Sequence, residues 1–471
     1  MSGILGRALL SILLWPAVGQ TLDFPILKPN PAMFRAHREK FLAKLPPNSL
    51  AILRAAPPQM MSNDVEYLYR QDSNFWYLTG IEDPEAIAVF RPNAEDGKRY
   101  VVFVKPRERR LEAYEGPRVG PAEAASAFGA DAGFSTDEFA DRLSRSEALA
   151  GVEKIYLSDG GDTAWSETVR ARIDSRKSRD AGPSPSVVDA REVIHEMRVV
   201  KDSEEIALIR RATEISGRGH VLAMKAAAPG RYEFEVQGAL DAYCAANGAR
   251  RMAYPSIAAS GPNSVFLHWD RNDRQIQDGD VVLNDSGAEY GYYATDITRT
   301  YPASGRFSAE QRAIYDVVLA AQKAAMAQIR PGVPFDRVGA AAARVQTEGL
   351  VRLGLLSGNV EKLVKEGGHS VFTKHPISHW VGLDVHDVGR YTAGTASRPL
   401  EPGMVFTVEP GIYVGADSGA DRKWWNIGVR IEDVVLVTDA GYECLSCFVP
   451  REASEVEKTV QSGRQTENGK R

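Results

Sequence analysis

"GDVVLNDSGAEYGYYATDITRTYP", residues 279–302, reads as a β-hairpin with an awkward content. Its first strand runs from Val281 to Asp285, its turn centres on Tyr290-Gly291, and its second strand runs from Tyr292 to Thr300. On that register Asp285 and Asp296 are equidistant from the turn and face each other, with paired Cβ atoms about 5 Å apart. Like charges directly opposite are destabilising, and aspartate is depleted in strands. An exposed, solvated edge is one reading. The Val, Leu and Ile neighbours favour the other, a half-buried acid pair that needs a compensating cation.

The hairpin has a counterpart. "DGDVVLND" (278–285) parallels "PGMVFTVE" (402–409): in each, a glycine is followed six residues on by an acid, with an apolar strand between. Upstream, Met224, Pro229, Gly230, Val236 and Ala239 match Met326, Pro331, Gly332, Val338 and Ala341 at a constant offset of 102. Each set reads as a helix end, a Pro-Gly stop and a second helix start. The second half of the chain is therefore expected to be duplicated: helix, helix, then strands carrying carboxylates. The later copy offers Glu409 at a strand end and Glu432 inside "IGVRIEDVVLV" (427–437), where an unpaired glutamate would be expensive to bury. Arg430 lies two residues before Glu432 on the same strand face. It is either a plain salt-bridge partner or an arginine that orients a ligating carboxylate.

"HPISHWVGLDVHDVG" (375–389) packs three of the eight histidines and two aspartates into fifteen positions. His375 and His379 are four apart, as on a helical zinc site, but Pro376 sits where the glutamate of that motif would be and resists a helix interior. This stretch is expected to supply an imidazole to a site whose other ligands come from elsewhere. Four carboxylates and one imidazole balance two divalent cations, and oxygen-rich ligation favours manganese or a similar ion over a thiolate-type zinc site. Two such ions acidify a water and polarise a carbonyl, which is machinery for hydrolysis.

Five ligands in the order Asp285, Asp296, His379, Glu409, Glu432 on a duplicated α/β half resemble the pita-bread metallopeptidases, which include methionine aminopeptidase, prolidase and aminopeptidase P. "DITRTYP", "HPISHWVGLDVHDVG", "VEPGIY" and "VRIEDVVLVT" resemble the proline-specific branch, and "YLYRQDSNFWYLTGIEDPEA" (67–86) resembles the N-terminal segment of aminopeptidase P. The resemblance covers about residues 30–450. It implies an α/β (α+β) chain: an N-terminal creatinase/aminopeptidase P-type domain (20–190, linker included) and a C-terminal pita-bread domain with pseudo-twofold duplication (191–450). It implies that Asp285 chelates one ion, His379 and Glu409 the other, while Asp296 and Glu432 bridge. Mn(II) is the expected ion, with Zn(II) or Co(II) as alternatives.

The same resemblance implies hydrolysis of the Xaa-Pro bond at the N-terminus of peptides, with Glu409 shuttling a proton to the leaving nitrogen. His268 ("FLHWD", 266–270) and His386 would hydrogen-bond the substrate and its developing oxyanion, His375 would line the proline-side pocket, and Tyr413 and Arg430 would make outer contacts. The nearest alternative is a prolidase restricted to Xaa-Pro dipeptides. A non-catalytic peptide-binding relative and a creatinase-like amidinohydrolase are both disfavoured by the complete ligand set. Ser286, Asn284, Pro376 and the 415–426 loop depart from the usual pattern without removing a ligand. Relatives of this branch are often dimers or tetramers, so a homo-oligomer is expected. "NFWYLTG" (74–80) then either reaches a neighbour's pocket or packs in its own core.

The 471 residues allow two or three domains, and 44% apolar with 25% charged residues is ordinary for a globular chain. A net charge of −5 gives no electrostatic case for nucleic acid. Beyond the N-terminus no apolar run is long enough to span a membrane. "MSGILGRALLSILLWPAVGQ" has Arg7, an apolar stretch from Ala8 to Val18 and a small-x-small end at Ala17-Val18-Gly19. It is expected to be a signal peptide over 1–19, making the protein periplasmic or secreted; a buried first helix in a cytoplasmic protein is the alternative. Cys244, Cys444 and Cys447 make no disulfide framework; the C-x-x-C pair reads as packed thiols or a single bridge.

Elsewhere, "AIAVF" (86–90) and "YVVFV" (100–104) read as strands around "RPNAEDG". "STDEFADRLSRSEALA" reads as a helix started by Ser135 and spaced through Phe139, Leu143 and Leu149. "SRKSRDAGPSPS" (175–186) reads as a linker, and Asp202-x-x-Glu205 as a capping box. Residues 451–471 read as a polar, frayed tail.

Overall fold

The two expected strands, Ile87–Phe90 and Tyr100–Val104, are present and pair antiparallel, with Phe90 opposite Tyr100. In the computed structural model, which describes residues 24–95, 97–175 and 185–468, they belong to a six-stranded mixed sheet. Its order is Ala132–Ser135, Tyr100–Val104, Ile87–Phe90, Ser49–Arg54, Lys154–Ser158, Ser186–Asp189. Ser49–Arg54 is buried along its whole length. Ala51 and Leu53 join the core on one face and Leu50 and Ile52 the core on the other, the period-two alternation of a central strand.

Several expectations change here. The Ser135–Glu138 capping box is present, but the helix it opens onto covers only Phe139–Ser144, because Arg145 is extended; Leu149 reaches the core from a separate 3-10 turn. Of the expected linker, residues 176–184 lie outside the described residues. Ser186 already belongs to the edge strand paired in parallel with Lys154–Ser158. Helix Thr163–Ser175 precedes that stretch, so it falls inside the first domain, and the chain leaves the domain after Asp189 through helix Arg191–Arg198. Segment 74–80 packs in its own chain's core. Asp72 caps helix Ser73–Thr79, Gly80 ends it with φ 66°, and Phe75 to Leu78 are buried. Trp76 stacks on Tyr292 of the second domain at 4.6 Å.

The duplication is visible in the second domain. Helices Ser203–Ala226 and Glu233–Ala246 flank the first Pro-Gly stop, and Ala309–Met326 and Asp336–Arg352 flank the second. The Asp202–Glu205 capping box opens the first of them. Each helix pair precedes a three-stranded antiparallel sheet. One has Val281–Asp285 between Ile257–Ser260 and Thr298–Pro302; the other has Asp433–Thr438 between Val405–Val408 and Gly441–Cys444. Gly279 and Gly403, matched by the repeat, both take positive φ (82° and 91°) at the turn before their strands. The halves join where the Glu432 N–H donates to the Thr298 carbonyl at 3.0 Å and the Thr300 hydroxyl donates to the Arg430 carbonyl at 2.9 Å.

The hairpin forms with a different register. Asp285 pairs with Thr298, and Tyr290 with Tyr293. The turn therefore centres on Gly291-Tyr292, both with positive φ (54° and 71°), as a primed two-residue turn requires. Tyrosine is a poor residue for that conformation; stacking on Trp76 compensates it. The shift is two residues, so Asp285 and Asp296 keep a common face but become diagonal neighbours. Between them the ladder breaks where Gly287 passes Thr295, so closely that a Cβ would lie 1.8 Å from its carbonyl oxygen.

The C-terminal segment is not a frayed tail. Ala453–Asn468 is a helix with Ala453, Val456 and Val460 buried. At Gly463 a Cβ would lie 2.1 Å from the Lys225 carbonyl oxygen, so the two helices approach closely. Four small apolar residues spread over eleven positions gave little hydropathy signal. Cys444 and Cys447 are joined by a disulfide, and Cys244 is free and buried. The expected signal segment lies outside the described residues. Among those described, no helix is long and apolar enough to cross a membrane.

Candidate metal centre

The four expected carboxylate ligands all sit at or beside breaks in strands. Asp285 ends its strand, Asp296 lies between Ala294 and Thr298, Glu409 follows Val405–Val408, and Glu432 separates Ile427–Arg430 from Asp433–Thr438. Strand interiors must alternate faces; a break lets a side chain be re-aimed. The result is one cluster built from both halves. Asp285, Asp296 and Glu432 have carboxylate oxygens within 4.8 Å of one another, as do ligand atoms of His379, Glu409 and Glu432. His379 Nε2 lies 3.1 Å from Glu409 Oε1 and 3.4 Å from Asp296 Oδ2. Its Nδ1 lies 3.1 Å from the Trp380 carbonyl, which leaves Nε2 facing the acids.

The electrostatics are those of crowded, desolvated acids. Burial, and then the neighbouring charge of Asp285, pushes Asp296 up to about 7. Burial and the charges of Asp296, Glu409 and Asp285 push Glu432 well above the carboxylate range. Glu409 goes the other way: burial opposes its charge, but the hydrogen bond and charge of His379 outweigh it and hold the group at about 2. Glu432 Oε1 is buried with no hydrogen-bond partner, while Oε2 accepts from Thr298 Oγ1 at 2.6 Å. A buried orphan oxygen among mutually repelling acids, with an imidazole nitrogen beside them, fits divalent cations.

Arg430 serves both expected roles, but toward the other half. Its Nη2 donates to Asp285 Oδ2, its Nε to Thr298 Oγ1 at 3.0 Å, and its Nη1 to the Tyr413 hydroxyl at 2.8 Å. Through Thr298 it also reaches Glu432. The Tyr413 hydroxyl in turn lies 2.8 Å from His375 Nε2. His268, His375 and His386 line one cavity of about 570 Å³ together with the five ligands, Leu267, Phe335 and Tyr391. His386 stands against His379 with ring centroids 4.2 Å apart. Burial lowers the pKa of His375 and His386 alike, so both favour the neutral ring.

Three residues of the cluster escaped the sequence reading. The Tyr254 hydroxyl lies 2.6 Å from Asp285 Oδ1 and 2.5 Å from Asp296 Oδ1, holding the two acids on either side of one proton. Thr298 links Arg430 to Glu432. Thr407 Oγ1 accepts from the His379 N–H at 3.1 Å and donates to Glu409 Oε1 at 3.0 Å. Neutral hydroxyls carry no charge pattern; only the position of Thr407, two residues before Glu409 on an alternating strand, could have pointed to one.

Comparison with known proteins agrees along nearly the whole chain. The model of metallopeptidase family M24 matches residues 207–439, and that of the aminopeptidase P N-terminal domain matches residues 34–156. The Xaa-Pro aminopeptidase of Escherichia coli (strain K12) is 38% identical over 437 residues, covering 92% of this chain and 98% of that protein. The Haemophilus influenzae protein of the same name is 38% identical over 431 residues, covering 91% and 96%. Among solved structures, Pseudomonas aeruginosa aminopeptidase PepP superposes with a TM-score of 0.90 at 39% identity, covering 93% of this chain and 100% of that one. Zinc-substituted E. coli aminopeptidase P in complex with product gives 0.88 at 37% identity, with the same coverage. The chain belongs to metallopeptidase family M24, with the aminopeptidase P N-terminal domain in front of the catalytic fold.

Proposed function

We propose that this protein is a dinuclear, manganese-dependent aminopeptidase that removes the first residue from peptides with proline in second position. The observation that carries it is the convergence of Asp285, Asp296, His379, Glu409 and Glu432 beneath a histidine-lined cavity. The substrate class is supported by relatives named Xaa-Pro aminopeptidase that match over both domains. Asp285 with the bridging Asp296 and Glu432 would hold one divalent ion, and His379, Glu409 and the same bridges the other. Bound there, the ions supply Lewis-acid polarisation of the scissile carbonyl and acidify water.

The chain's own groups do the rest. The nitrogen of a prolyl amide leaves poorly unless it is protonated, so a positioned proton carrier is required. Glu409 is that carrier: it stands among the ligands as a carboxylate, and His379 and Thr407 fix its position. His268 and His386 face the cavity, where a ring N–H can meet the oxygen on which charge develops. The Arg430–Tyr413–His375 chain orients Asp285 on one side and the substrate pocket on the other.

Incubation with Ala-Pro and with Ala-Pro-Ala-type peptides, read by mass spectrometry, tests the proposal. Alanine should be released from the longer peptides; release from the dipeptide alone would make the protein a prolidase. A homo-oligomer and export are parts of the same proposal. The exposed Met60, Met61, Val65, Tyr67 and Leu68 support the first. The bridged Cys444–Cys447 pair supports the second, since disulfides persist in oxidising compartments. Light scattering and the N-terminal sequence of the mature protein test them.

A further inference from the structure

His386 rides on the turn from Gly382 to Asp387, and the backbone of that turn sets where its ring points. The Asp387 N–H donates to the Trp380 carbonyl at 2.8 Å, and the Ala294 N–H to the Gly382 carbonyl at 2.8 Å. A Cβ on Gly382 would lie 2.2 Å from Asp387 Oδ2, so that carboxylate is folded over the turn's first residue.

The turn is held by charged groups from outside it. Asp387 is 6% exposed and lies between two buried cations: Arg198 Nη2 is 2.5 Å from Oδ1, and Lys201 Nζ is 2.9 Å from Oδ2. Arg198 Nη2 also meets Asp384 Oδ2 at 2.6 Å. The other oxygen of Asp384 accepts from the hydroxyl of Ser73, in the N-terminal domain, at 2.6 Å. Arg70, also of that domain, donates to the Leu383 carbonyl at 2.6 Å and to Ser73 Oγ at 3.0 Å. Arg70 to Asn74 is the part of the 67–86 stretch that the proposed reaction leaves without a role. Buried ion pairs are a poor way to gain stability, because desolvation offsets most of the attraction; what they give is one geometry rather than several.

We propose that Arg198, Asp384, Asp387 and Ser73 form a two-domain clasp whose task is to position His386 in the cavity. They are positioning residues, acting through His386 without touching substrate. This rests on the assignment of His386 as a substrate-facing hydrogen-bond donor. It also gives the N-terminal domain a part in the chemistry: its Ser73 and Arg70 fix the turn that carries an active-site ring.

A double-mutant cycle tests it, with the manganese-loaded full chain, an Ala-Pro-Ala-type peptide, and kcat and KM measured separately. Asp384→Asn should lower kcat about tenfold and leave KM within about twofold, the pattern of a slightly misplaced transition-state contact. His386→Ala should lower kcat at least as far. The double variant should be no slower than His386→Ala alone, because the clasp has nothing left to position. Losses that multiply instead would overturn the proposal. His386→Ala at the full rate would remove the assignment of His386, and the clasp's role with it. Elemental analysis should show equal metal in all four proteins; metal lost from Asp384→Asn would mean that the clasp acts on the ligands, overturning the proposal. If Asp384→Asn does not fold, Ser73→Ala runs the same cycle, with Ser73→Thr restoring the hydroxyl and expected to restore kcat.

Discussion

At Glu409 two demands meet in one side chain: it lies among the ligands and it carries a proton. Glu409→Ala should lower kcat by about 10²–10⁴-fold, the usual worth of a positioned acid/base group. An unchanged rate in a folded, metal-replete variant would contradict its role. Asp296 makes a second prediction. In the ion-free protein its carboxyl holds a proton up to about pH 7, and ligation requires the carboxylate. A cation must displace that proton at lower pH, so apparent affinity should fall as pH falls below about 7, by about tenfold per unit for one proton. Competition with a chelator between pH 5 and 8 measures it. At this scale the sequence was legible where charge was the message. Acids inside apolar strands are costly, so they stand out; Tyr254, Thr298 and Thr407 do equal positional work with neutral hydroxyls and leave no such mark.

Between elements, the same contrast separates caps from docking surfaces. The Asp202–Glu205 box could be read locally because every partner lies within four residues. Its second use could not: His37, on helix Pro31–Lys44, is fully buried, with Nε2 3.0 Å from Asp202 Oδ2 and Nδ1 2.9 Å from the Tyr77 carbonyl. Both ring nitrogens face acceptors, so the ring is held as a cation. Burial works against that charge, but Asp202 and Glu205 outweigh it and raise the group to about 9. A raised pKa means stability fully present below the unfolded value of 6.5 and lost as pH rises through about 9. The loss should be on the order of 3 kcal/mol, from a shift of about two to three units. The melting temperature of the protein should therefore fall between pH 6.5 and 9 relative to His37→Gln, which has no such titration. The Gly463 contact is the other docking surface that hydropathy hid. Gly463→Val should destabilise the protein by about 1–3 kcal/mol through overpacking against the Lys225 backbone. Denaturant unfolding would read this, and a neutral result would mean that the helix docks more loosely than its geometry requires. The hairpin register was misread for a related reason: the local turn signal said Tyr290-Gly291, and the ring of Trp76, over two hundred residues away, paid for placing Tyr292 in the turn instead.

Across the whole molecule, the duplication was the most legible feature, because two copies of one spacing confirm each other without any knowledge of contacts. It was enough to place an acid pair in each half and to expect them to meet. What the spacing could not tell is how strongly the two halves repel at their junction. Asp285 and Asp296 come from one half, Glu409 and Glu432 from the other, and the joining strands bring them into one buried cluster. Folding thus presses like charges together, and a bound cation should stabilise the entire fold as well as the reaction. Chelation should abolish hydrolysis and lower the melting temperature, and manganese should restore both. Protonation relieves the same repulsion, since Asp296 and Glu432 are raised by burial and by neighbouring acids. The gap in melting temperature between manganese-loaded and ion-free protein should therefore be wide at pH 8 and narrow toward pH 5, where protons take the place that the cation holds at higher pH. A gap of equal size at both pH values would mean that the ion stabilises the protein by some route other than neutralising these acids. The cluster would then lose its claim to be what the two halves were folded together to build.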